Sequence, residues 1–286
     1  MIDADFTRAD YTLDEFTKDE SFPFFIQYGG HDHVLSVHGH ADFSELVIVL
    51  SGTATHIVGG ERFEVGKGDV FCIGSGIKHG YTNVKKFRIC NIMFRPEAML
   101  AVDSDVRTLA GFHSLFVVEP RLTDGFRSSM RLGGEAFAEL GQLIARTIEE
   151  YNALRPARKT LLMAYFSEIA VMLSRQYSAA DGGRTDGVAG AAAFMESRFS
   201  ESGCMEEVLS RLHYSERHFV RLFSRAYGMT PARYLADIRM RKAAALLKGT
   251  SLTVGEIAAR CGFSDPNYFS RAFRREFGMS PVEYRQ

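Results

Sequence analysis

The chain has 286 residues, of which 46% are hydrophobic and 24% are charged, and its formal net charge is −1. That length predicts about two domains, and this balance of residue types is typical of globular proteins and excludes a disordered chain. No apolar run reaches the roughly 18 residues of a membrane span. The acidic N-terminus lacks the basic start and apolar stretch of a signal peptide. We therefore expect a cytoplasmic protein without a membrane partner.

Charge is unevenly distributed along the chain. Residues 184–286 contain 16 basic and 11 acidic side chains, a net charge of +5, whereas residues 1–183 contain 18 and 24, a net charge of −6. A basic half joined to an acidic half indicates that only the C-terminal half meets a polyanion. The stretch 178–187 is rich in glycine and aspartate, and we expect it to link the two halves.

Short β-like runs separated by glycine-containing turns fill the chain from Phe24 to Phe94. Several strands at such short spacing predict a β-barrel or a double-sheet jelly roll. The sequence Val-Gly-Gly-Glu at residues 58–61 lies between two alternating runs, which is a hairpin signal. The N-terminal domain is therefore predicted to be built from β-strands.

Two polar clusters lie on these predicted strands. His38 and His40 are two positions apart, so their side chains share one face of a strand. Glu45 begins the next apolar run, and His79 follows a later turn. Three imidazoles and one carboxylate suit a divalent transition metal. The residues alone leave open whether these groups bind a metal, line a metal-free ligand pocket, or have unrelated core or surface roles.

This pattern resembles the two motifs of the cupin superfamily. The resemblance implies a cupin-like barrel in which four side chains occupy the metal-ligand positions for zinc, nickel, iron or manganese, or line the pocket of a small molecule. The second motif has Gly74 where the family usually has proline. The positions that match are His38, His40, Glu45, Gly52, Gly68, Gly76, His79 and Asn83.

Residues 134–153 and 158–177 carry apolar side chains at helical spacing. The Arg155-Pro156 dipeptide separates them, because proline interrupts a helix. Two consecutive amphipathic helices predict an antiparallel pair. Its apolar surface can pack within the chain or on a second copy, and the second possibility is the basis for expecting a homodimer.

The C-terminal half contains a repeat. Residues 222–234, LFSRAYGMTPARY, read nearly the same as residues 272–284, AFRREFGMSPVEY. Further upstream, residues 208–215 align with residues 257–264, so the repeated unit spans about thirty residues and is a whole supersecondary motif. The aligned pairs are Phe223 with Phe273, Gly228 with Gly278, Pro231 with Pro281, and Tyr234 with Tyr284.

Each repeat predicts a short helix, a tight turn and a second helix. Thr253 and Glu256 form a capping-box pattern at the start of one short helix, and Ser215 or Ser264 is the N-cap candidate of each second helix. A glycine at C′ ends both second helices. Thr-Pro and Ser-Pro pairs then start a further helix, because proline is favoured at N1.

The outer faces of the two second helices carry side chains that can reach bases or phosphates in a DNA major groove. Arginines recur at i, i+4 and i+8 on the first, and asparagine, serine and arginines lie on the second. A single arginine indicates only a solvated helix face, but the same geometry behind two helix-turn-helix units indicates DNA binding. The candidates are Arg217, Arg221, Arg225, Asn267, Ser270, Arg271 and Arg274.

Residues 188–286 resemble the AraC/XylS family of bacterial transcription regulators, with the closer match at 249–285. The resemblance implies two helix-turn-helix subdomains joined by a linker helix at 232–249, with both recognition helices in the major groove of double-stranded DNA. Val220 and Pro266 match base-facing positions but cannot donate hydrogen bonds, so contact with a thymine methyl group is expected of them.

Residues 43–73 and 90–97 resemble the sensor of rhamnose-operon regulators in that family. This resemblance implies a small-molecule effector, a sugar or sugar acid, and RNA polymerase as a partner if the protein is an activator. The alternative is a metal-dependent cupin enzyme fused to a DNA-binding module; we expect no enzyme.

The predicted fold class is multidomain α+β: an N-terminal cupin-like barrel of jelly-roll type with a helix pair, then an all-α domain of two helix-turn-helix subdomains. The predicted boundaries are 1–130 for the ligand-sensing domain, 131–180 for the helix pair, 181–188 for the linker and 189–286 for the DNA-binding domain.

Overall fold

The computed structural model describes residues 10–17, 19, 21–99, 105–121, 130–180, 187–213 and 215–286. The chain divides into two compact units: Met1–Val102 with Ser114–Gly183, and Asp103–His113 with Arg184–Gln286. Residues 105–113 therefore group with the C-terminal helices, although the sequence boundaries placed them in the first domain. Most of the predicted linker lies outside the described residues.

The first unit is β-rich, as predicted. Its described strands form a sheet in the order β1-β3-β7-β4-β6-β8, in which β2 also pairs with β7 and β5 with β4. The strands are β1 (Asp10–Tyr11), β2 (Phe24–His31), β3 (Leu35–His40), β4 (Ser44–Val58), β5 (Glu61–Gly66), β6 (Asp69–Ile73), β7 (His79–Phe94) and β8 (Met130–Arg131).

The long antiparallel strands β4 and β7 are the centre of this sheet. The predicted hairpin is confirmed, since Val58 of β4 pairs with Glu61 of β5 across the two glycines. Gly52 lies within β4, where the pairing with β7 shifts register; its φ is +76°, and a Cβ there would lie 2.2 Å from the carbonyl oxygen of Lys86. Only glycine fits such a position, so this residue lets one strand bend across the sheet.

Alternate residues of the central strands fill the core of the sheet domain. Val47 and Val49 of β4, together with Phe87 and Ile89 of β7, belong to one buried cluster. Residues two apart on a strand share a face, so Glu45 lies on the same face as these valines. The sheet thereby directs a carboxylate toward an apolar interior.

Two short helices, α1 (Pro96–Met99) and α2 (Ala110–His113), precede the predicted helix pair. The pair is present as α3 (Gly134–Ala153) and α4 (Arg158–Ala180). Phe166 of α4 packs against Phe24 and Phe94, with ring centroids 5.9 and 4.9 Å apart. The pair therefore buries part of its apolar surface on its own sheet.

The second unit is helical in its described residues and confirms the predicted repeat. Two helix-turn-helix units, α6–α7 and α9–α10, are joined by the linker helix α8. The helices are α5 (Val188–Arg198), α6 (Cys204–Ser210), α7 (Glu216–Tyr227), α8 (Pro231–Gly249), α9 (Val254–Arg260), α10 (Pro266–Phe277) and α11 (Pro281–Arg285).

The ends of these helices follow the predicted signals with one correction. Gly228 and Gly278 take left-handed φ values of +70° and +76° at the ends of α7 and α10. Ser215 caps α7 by accepting from the backbone N–H of His218. The prediction of Ser264 as the cap of α10 is wrong. The one-residue insertion in the second repeat shifts that role to Asp265, whose carboxylate accepts from a backbone N–H at 2.8 Å.

Within the described part of the chain, none of the helices combines the length and the apolar character that crossing a membrane requires.

Candidate functional site

The first candidate site is a buried histidine cluster in the sheet domain. His38 and His40 lie on β3 and His79 begins β7, and each of the three offers a nitrogen within 4.8 Å of the others. Nε2 of His40 and Nε2 of His79 lie 3.3 Å apart. Oε2 of Glu45 lies 3.5 Å from the first and 3.6 Å from the second. The structure thus brings together all four predicted residues of this site.

The spacings of 3.3–3.6 Å among His40, His79 and Glu45 would suit ligand atoms of one metal ion. Ligand atoms about 2.0–2.1 Å from a tetrahedral metal lie about 3.3–3.4 Å from one another. His38 is also oriented for this role, because its Nδ1 lies 3.0 Å from the carbonyl oxygen of Ser36. A carbonyl only accepts, so Nδ1 carries the proton and Nε2 keeps its lone pair. The second nitrogens of His40 and His79 find no hydrogen-bond partner among the described residues.

Burial governs the protonation of this cluster. Burial raises the pKa of Glu45 to about 8. It lowers the pKa of His40 to about 3, with a smaller contribution from His38, and it lowers the pKa of His79 well below the usual value. The described residues therefore leave the cluster uncharged at neutral pH. Neutral imidazoles have free lone pairs for a metal, and a nearby cation would favour the ionised form of the carboxyl group. The protonation state of the cluster is therefore compatible with binding a divalent metal.

The sequence reading missed two buried neighbours of this cluster, His56 and Tyr81. The His56 ring lies between those of Phe71 and Tyr81, at centroid distances of 4.8 and 5.0 Å, and its edge faces His79 at 5.7 Å. The Tyr81 hydroxyl is buried and finds no hydrogen-bond partner among the described residues. The sequence did contain a signal for the burial of His56. It lies two positions from Ala54 and from Val58, which are core residues of β4, so it shares their face of the strand.

The departure from the cupin pattern at Gly74 has a steric reason. A Cβ at this position would lie 2.1 Å from the carbonyl oxygen of Pro120. A proline ring therefore cannot occupy the position while residue 120 approaches so closely. Asn83, which matches the family pattern, takes a φ of +51° and donates a hydrogen bond to the Thr55 hydroxyl at 3.1 Å. This irregular point within β7 is thus tied to β4 by a side-chain hydrogen bond.

The second candidate site consists of the outer faces of α7 and α10. On α7, Arg217, Arg221 and Arg225 are exposed, opposite the buried rings of Phe219 and Phe223. The Nη2 atom of Arg221 lies 3.1 Å from Nδ1 of His218. The helix therefore turns an apolar face inward and a row of cations outward.

On α10, Asn267, Arg271 and Arg274 are exposed and Ser270 is half-buried. The Ser270 hydroxyl donates to the carbonyl oxygen of Pro266 at 2.9 Å, so a DNA acceptor would have to compete for that proton. The exposed amide and guanidinium groups are the types that bind base edges and phosphates. DNA contact by each of these individual residues stays a prediction.

Two helix-turn-helix units joined to a β-sheet domain with a histidine cluster define a class of DNA-binding transcription regulators. Comparison with known families agrees. The family model of the helix-turn-helix domain matches residues 208–286, and that of the cupin domain matches residues 24–93.

Whole-chain relatives give the family. The HTH-type transcriptional activator RhaS of Salmonella arizonae is 34% identical over 255 residues, which cover 86% of each chain. The HTH-type transcriptional activator RhaR of Mannheimia succiniciproducens is 31% identical and covers 93% of this chain and 92% of its own. Among solved structures, the C-terminal domain of AraT, a response regulator from Geobacillus stearothermophilus, is 37% identical over 34% of this chain and 82% of its own, with a TM-score of 0.33. This chain belongs to the AraC family of transcription regulators, and it binds double-stranded DNA.

Proposed function

We propose that a small molecule, a sugar or sugar acid, binds in the cupin domain and controls how this regulator acts on DNA. The observation that carries the proposal is the convergence of His38, His40, Glu45 and His79 on one buried point. DNA binding by the helix-turn-helix units does not require a buried cluster of histidines in the sheet domain. Buried polar groups cost stability unless they are satisfied, so their presence supports a ligand.

The chemistry of the cluster supports an oxygen-rich ligand. A divalent ion held by the four side chains would accept a hydroxyl or carboxylate oxygen as a fifth ligand, since zinc coordination can expand from four to five. The Tyr81 hydroxyl, buried beside His56, can donate to or accept from a ligand hydroxyl. Sugars and sugar acids present several such oxygens on a small frame. The relatives named as transcriptional activators support regulation as the purpose of binding.

The test uses the full-length chain purified without a chelator or a histidine tag. We expect zinc, nickel, iron or manganese at about one equivalent in elemental analysis, and a rise in melting temperature with one member of a panel of monosaccharides and aldonic acids. His79→Gln is expected to lose both. His33→Ala, which removes an exposed histidine of the same unit, is the matched control. If the sugar still raised the melting temperature of the His79→Gln variant, the proposed site would be refuted.

Metal chemistry also supports a second candidate, an enzyme that shares the chain with a DNA-binding module. A histidine triad with a carboxylate is equally a catalytic donor set, and this is the observation that favours it. Turnover of the sugar that raises the melting temperature would favour this candidate. An unchanged sugar recovered after long incubation would favour the regulator alone.

We further propose a homodimer through α3 and α4, and contact with RNA polymerase during activation. Leu161 on α4 is 39% exposed, so an apolar side chain of this helix is available to a second copy. Light scattering of the full chain measures the oligomer directly. A monomer at micromolar concentration, with and without DNA, would exclude the dimer.

A further inference from the structure

A short stretch from the middle of the chain is part of the DNA-binding unit. Residues 105–113, a 3₁₀ turn followed by α2, belong to the same compact unit as the C-terminal helices. The chain on either side of this stretch belongs to the first unit. A segment that continues the sensor half in sequence therefore contributes side chains to the helices that bind DNA.

Arg107 is the first of these side chains. Its Nε donates to Oε1 of Glu196 at 2.8 Å, and its Nη2 donates to the Tyr234 hydroxyl at 3.2 Å. The same hydroxyl donates to Oε1 of Glu196 at 2.9 Å, and Arg241 adds a contact to that oxygen at 3.2 Å. Charge-assisted hydrogen bonds of this kind are the strong ones. Arg107 thus joins α5 to the first turn of α8.

Glu196 depends on this arrangement because it is buried. Burial is the largest influence and acts to raise the pKa of Glu196, but Arg107, Arg241 and the Tyr234 hydroxyl together outweigh it, and the pKa is lowered overall. The carboxylate is therefore ionised at neutral pH. Removing one partner of a buried ion pair leaves an uncompensated charge, so the segment cannot leave without cost to the unit.

His113 is the second side chain. Its Nε2 lies 2.6 Å from the carbonyl oxygen of Arg107 and its Nδ1 lies 2.9 Å from the Tyr227 hydroxyl. The carbonyl only accepts, so Nε2 carries the proton and the tyrosine O–H donates to Nδ1. Burial, with help from the Arg107 charge, lowers the pKa of His113 to about 4, so the ring is neutral and this direction of donation is fixed.

Both hydroxyls lie at the corner that sets the direction of α7. Tyr227 is the last residue of α7 and Tyr234 lies in the first turn of α8, with Gly228 between them. Their rings are 4.9 Å apart, and Phe223 contacts each of them, at 4.3 and 5.3 Å. A side chain that holds these hydroxyls therefore acts on the angle between the recognition helix and the linker helix.

The second repeat has no equivalent of this attachment at its first tyrosine. Phe277 stands where the first repeat has Tyr227, so the ring is kept and the hydroxyl is absent. Phe277 contacts Tyr284 at 5.1 Å, much as Tyr227 contacts Tyr234. The ring packing is common to both corners, and the hydroxyl held by His113 belongs to the first alone.

We propose that Arg107 and His113 are positioning residues for α7: through Tyr227 and Tyr234 they fix how the first recognition helix meets DNA. The hydroxyl that His113 holds at the end of α7 has no counterpart at the end of α10, where Phe277 replaces the tyrosine. A stretch whose neighbours in sequence belong to the first unit therefore acts directly on one of the two DNA-reading helices.

The test uses the full chain and a duplex selected from a random-sequence pool by the wild-type protein. Footprinting of Arg221→Ala and Arg271→Ala on it first assigns the segments read by α7 and α10. Two derivatives of the duplex then have one segment or the other randomised. Tyr227→Phe removes a single hydroxyl, and Arg107→Met removes the guanidinium. Each is expected to weaken binding to the intact duplex about three- to tenfold, the worth of one or two net hydrogen bonds.

The positioning role is tested by the derivatives. Binding to the duplex with the α7 segment randomised should be unchanged by Tyr227→Phe, because α7 no longer reads sequence there. On the duplex with the α10 segment randomised, Tyr227→Phe should lower the binding affinity by the same factor as on the intact duplex. Tyr284→Phe, at the matching position of Tyr234 in the second repeat, is the control and should alter neither pattern. Arg107→Lys should restore part of the loss.

Equal weakening on both derivatives would show a merely structural role and overturn the proposal. An unchanged affinity of Tyr227→Phe for the intact duplex would also overturn it. If Arg107→Met fails to fold, Tyr227→Phe decides alone, since it removes one oxygen atom and keeps the ring packing.

Discussion

The two helix-turn-helix units share a scaffold and differ in their outer surfaces. The buried rings pair in the same way: Phe219 lies 5.5 Å from Phe223, and Phe269 lies 5.7 Å from Phe273. Outside, α7 presents a row of arginines and α10 presents asparagine, serine and arginines. The repeated residues are therefore those that fold the unit, and the residues that differ are those available to read DNA.

The match extends to the corner after each recognition helix. Phe223 contacts Tyr234 at 5.3 Å, and Phe273 contacts Tyr284 at 5.3 Å. A left-handed glycine then stops each helix and a Thr-Pro or Ser-Pro pair starts the next. The repeated thirteen-residue pattern therefore encodes a helix angle, while base recognition is expected just upstream of it.

Breaking the shared scaffold should have the largest effect. Phe223→Ala and Phe273→Ala each remove a fully buried ring, and we expect each to cost about 3–5 kcal/mol of unfolding free energy. Urea unfolding followed by circular dichroism measures both. Val282→Ala, at an exposed position of α11, is the control and should stay within about 0.5 kcal/mol. Very different costs at the two phenylalanines would contradict a common scaffold.

Substituting the candidate base-contacting arginines should affect different parts of the DNA site for the two helix-turn-helix units. Arg221→Ala and Arg271→Ala are expected to lose about 1–3 kcal/mol of discrimination, each at a different segment of the operator. Binding to single-base variants of a selected duplex, at fixed salt, locates each loss. Arg198→Ala, which removes an exposed arginine of α5 paired with Glu201, is the control. Losses at the same base pair for both variants would contradict separate readers.

Much of the shared structure of the two helix-turn-helix units could be predicted from the sequence, because it is encoded by local signals. The glycine stops, the proline starts and the period of the buried phenylalanines each depend on residues a few positions apart. The cap of α10 was mispredicted for a local reason too: an inserted residue lets Asp265 compete with Ser264, and the aspartate directly precedes the proline at N1.

The features that could not be predicted depend on contacts between residues that are distant in sequence. The histidine motif gave the four converging side chains, but the burial of His56 depends on strands that pair only in the folded sheet. Residues 105–113 form two short turns with no periodicity, so nothing in their own sequence assigns them to the C-terminal helices. Arg107 and Glu196 are 89 positions apart, and only the fold brings them together.

The first helices of the two units, α9 and α6, differ in how they are capped. Thr253 caps α9 by accepting from the backbone N–H of Glu256, whose carboxylate accepts from the Thr253 N–H at 2.7 Å. In the first unit the corresponding N-cap is Gly203, which has no side chain to offer. We expect Thr253→Ala to cost about 1 kcal/mol at neutral pH, with no equivalent contribution in the first unit.

This contribution should depend on pH with a defined sign. Hydrogen bonds from the Thr253 side chain, then from its backbone, lower the pKa of Glu256 from 4.5. A lowered pKa stabilises the fold above that value, and the stabilisation is lost as the pH falls through the folded-state pKa. The gap in unfolding midpoint between wild type and Thr253→Ala should therefore narrow below about pH 4. Val282→Ala, at an exposed position of α11 that carries no titratable group, is the control and should show no such narrowing. A gap for Thr253→Ala that is constant from pH 7 to pH 3 would mean that its hydroxyl alone caps α9, without the carboxylate.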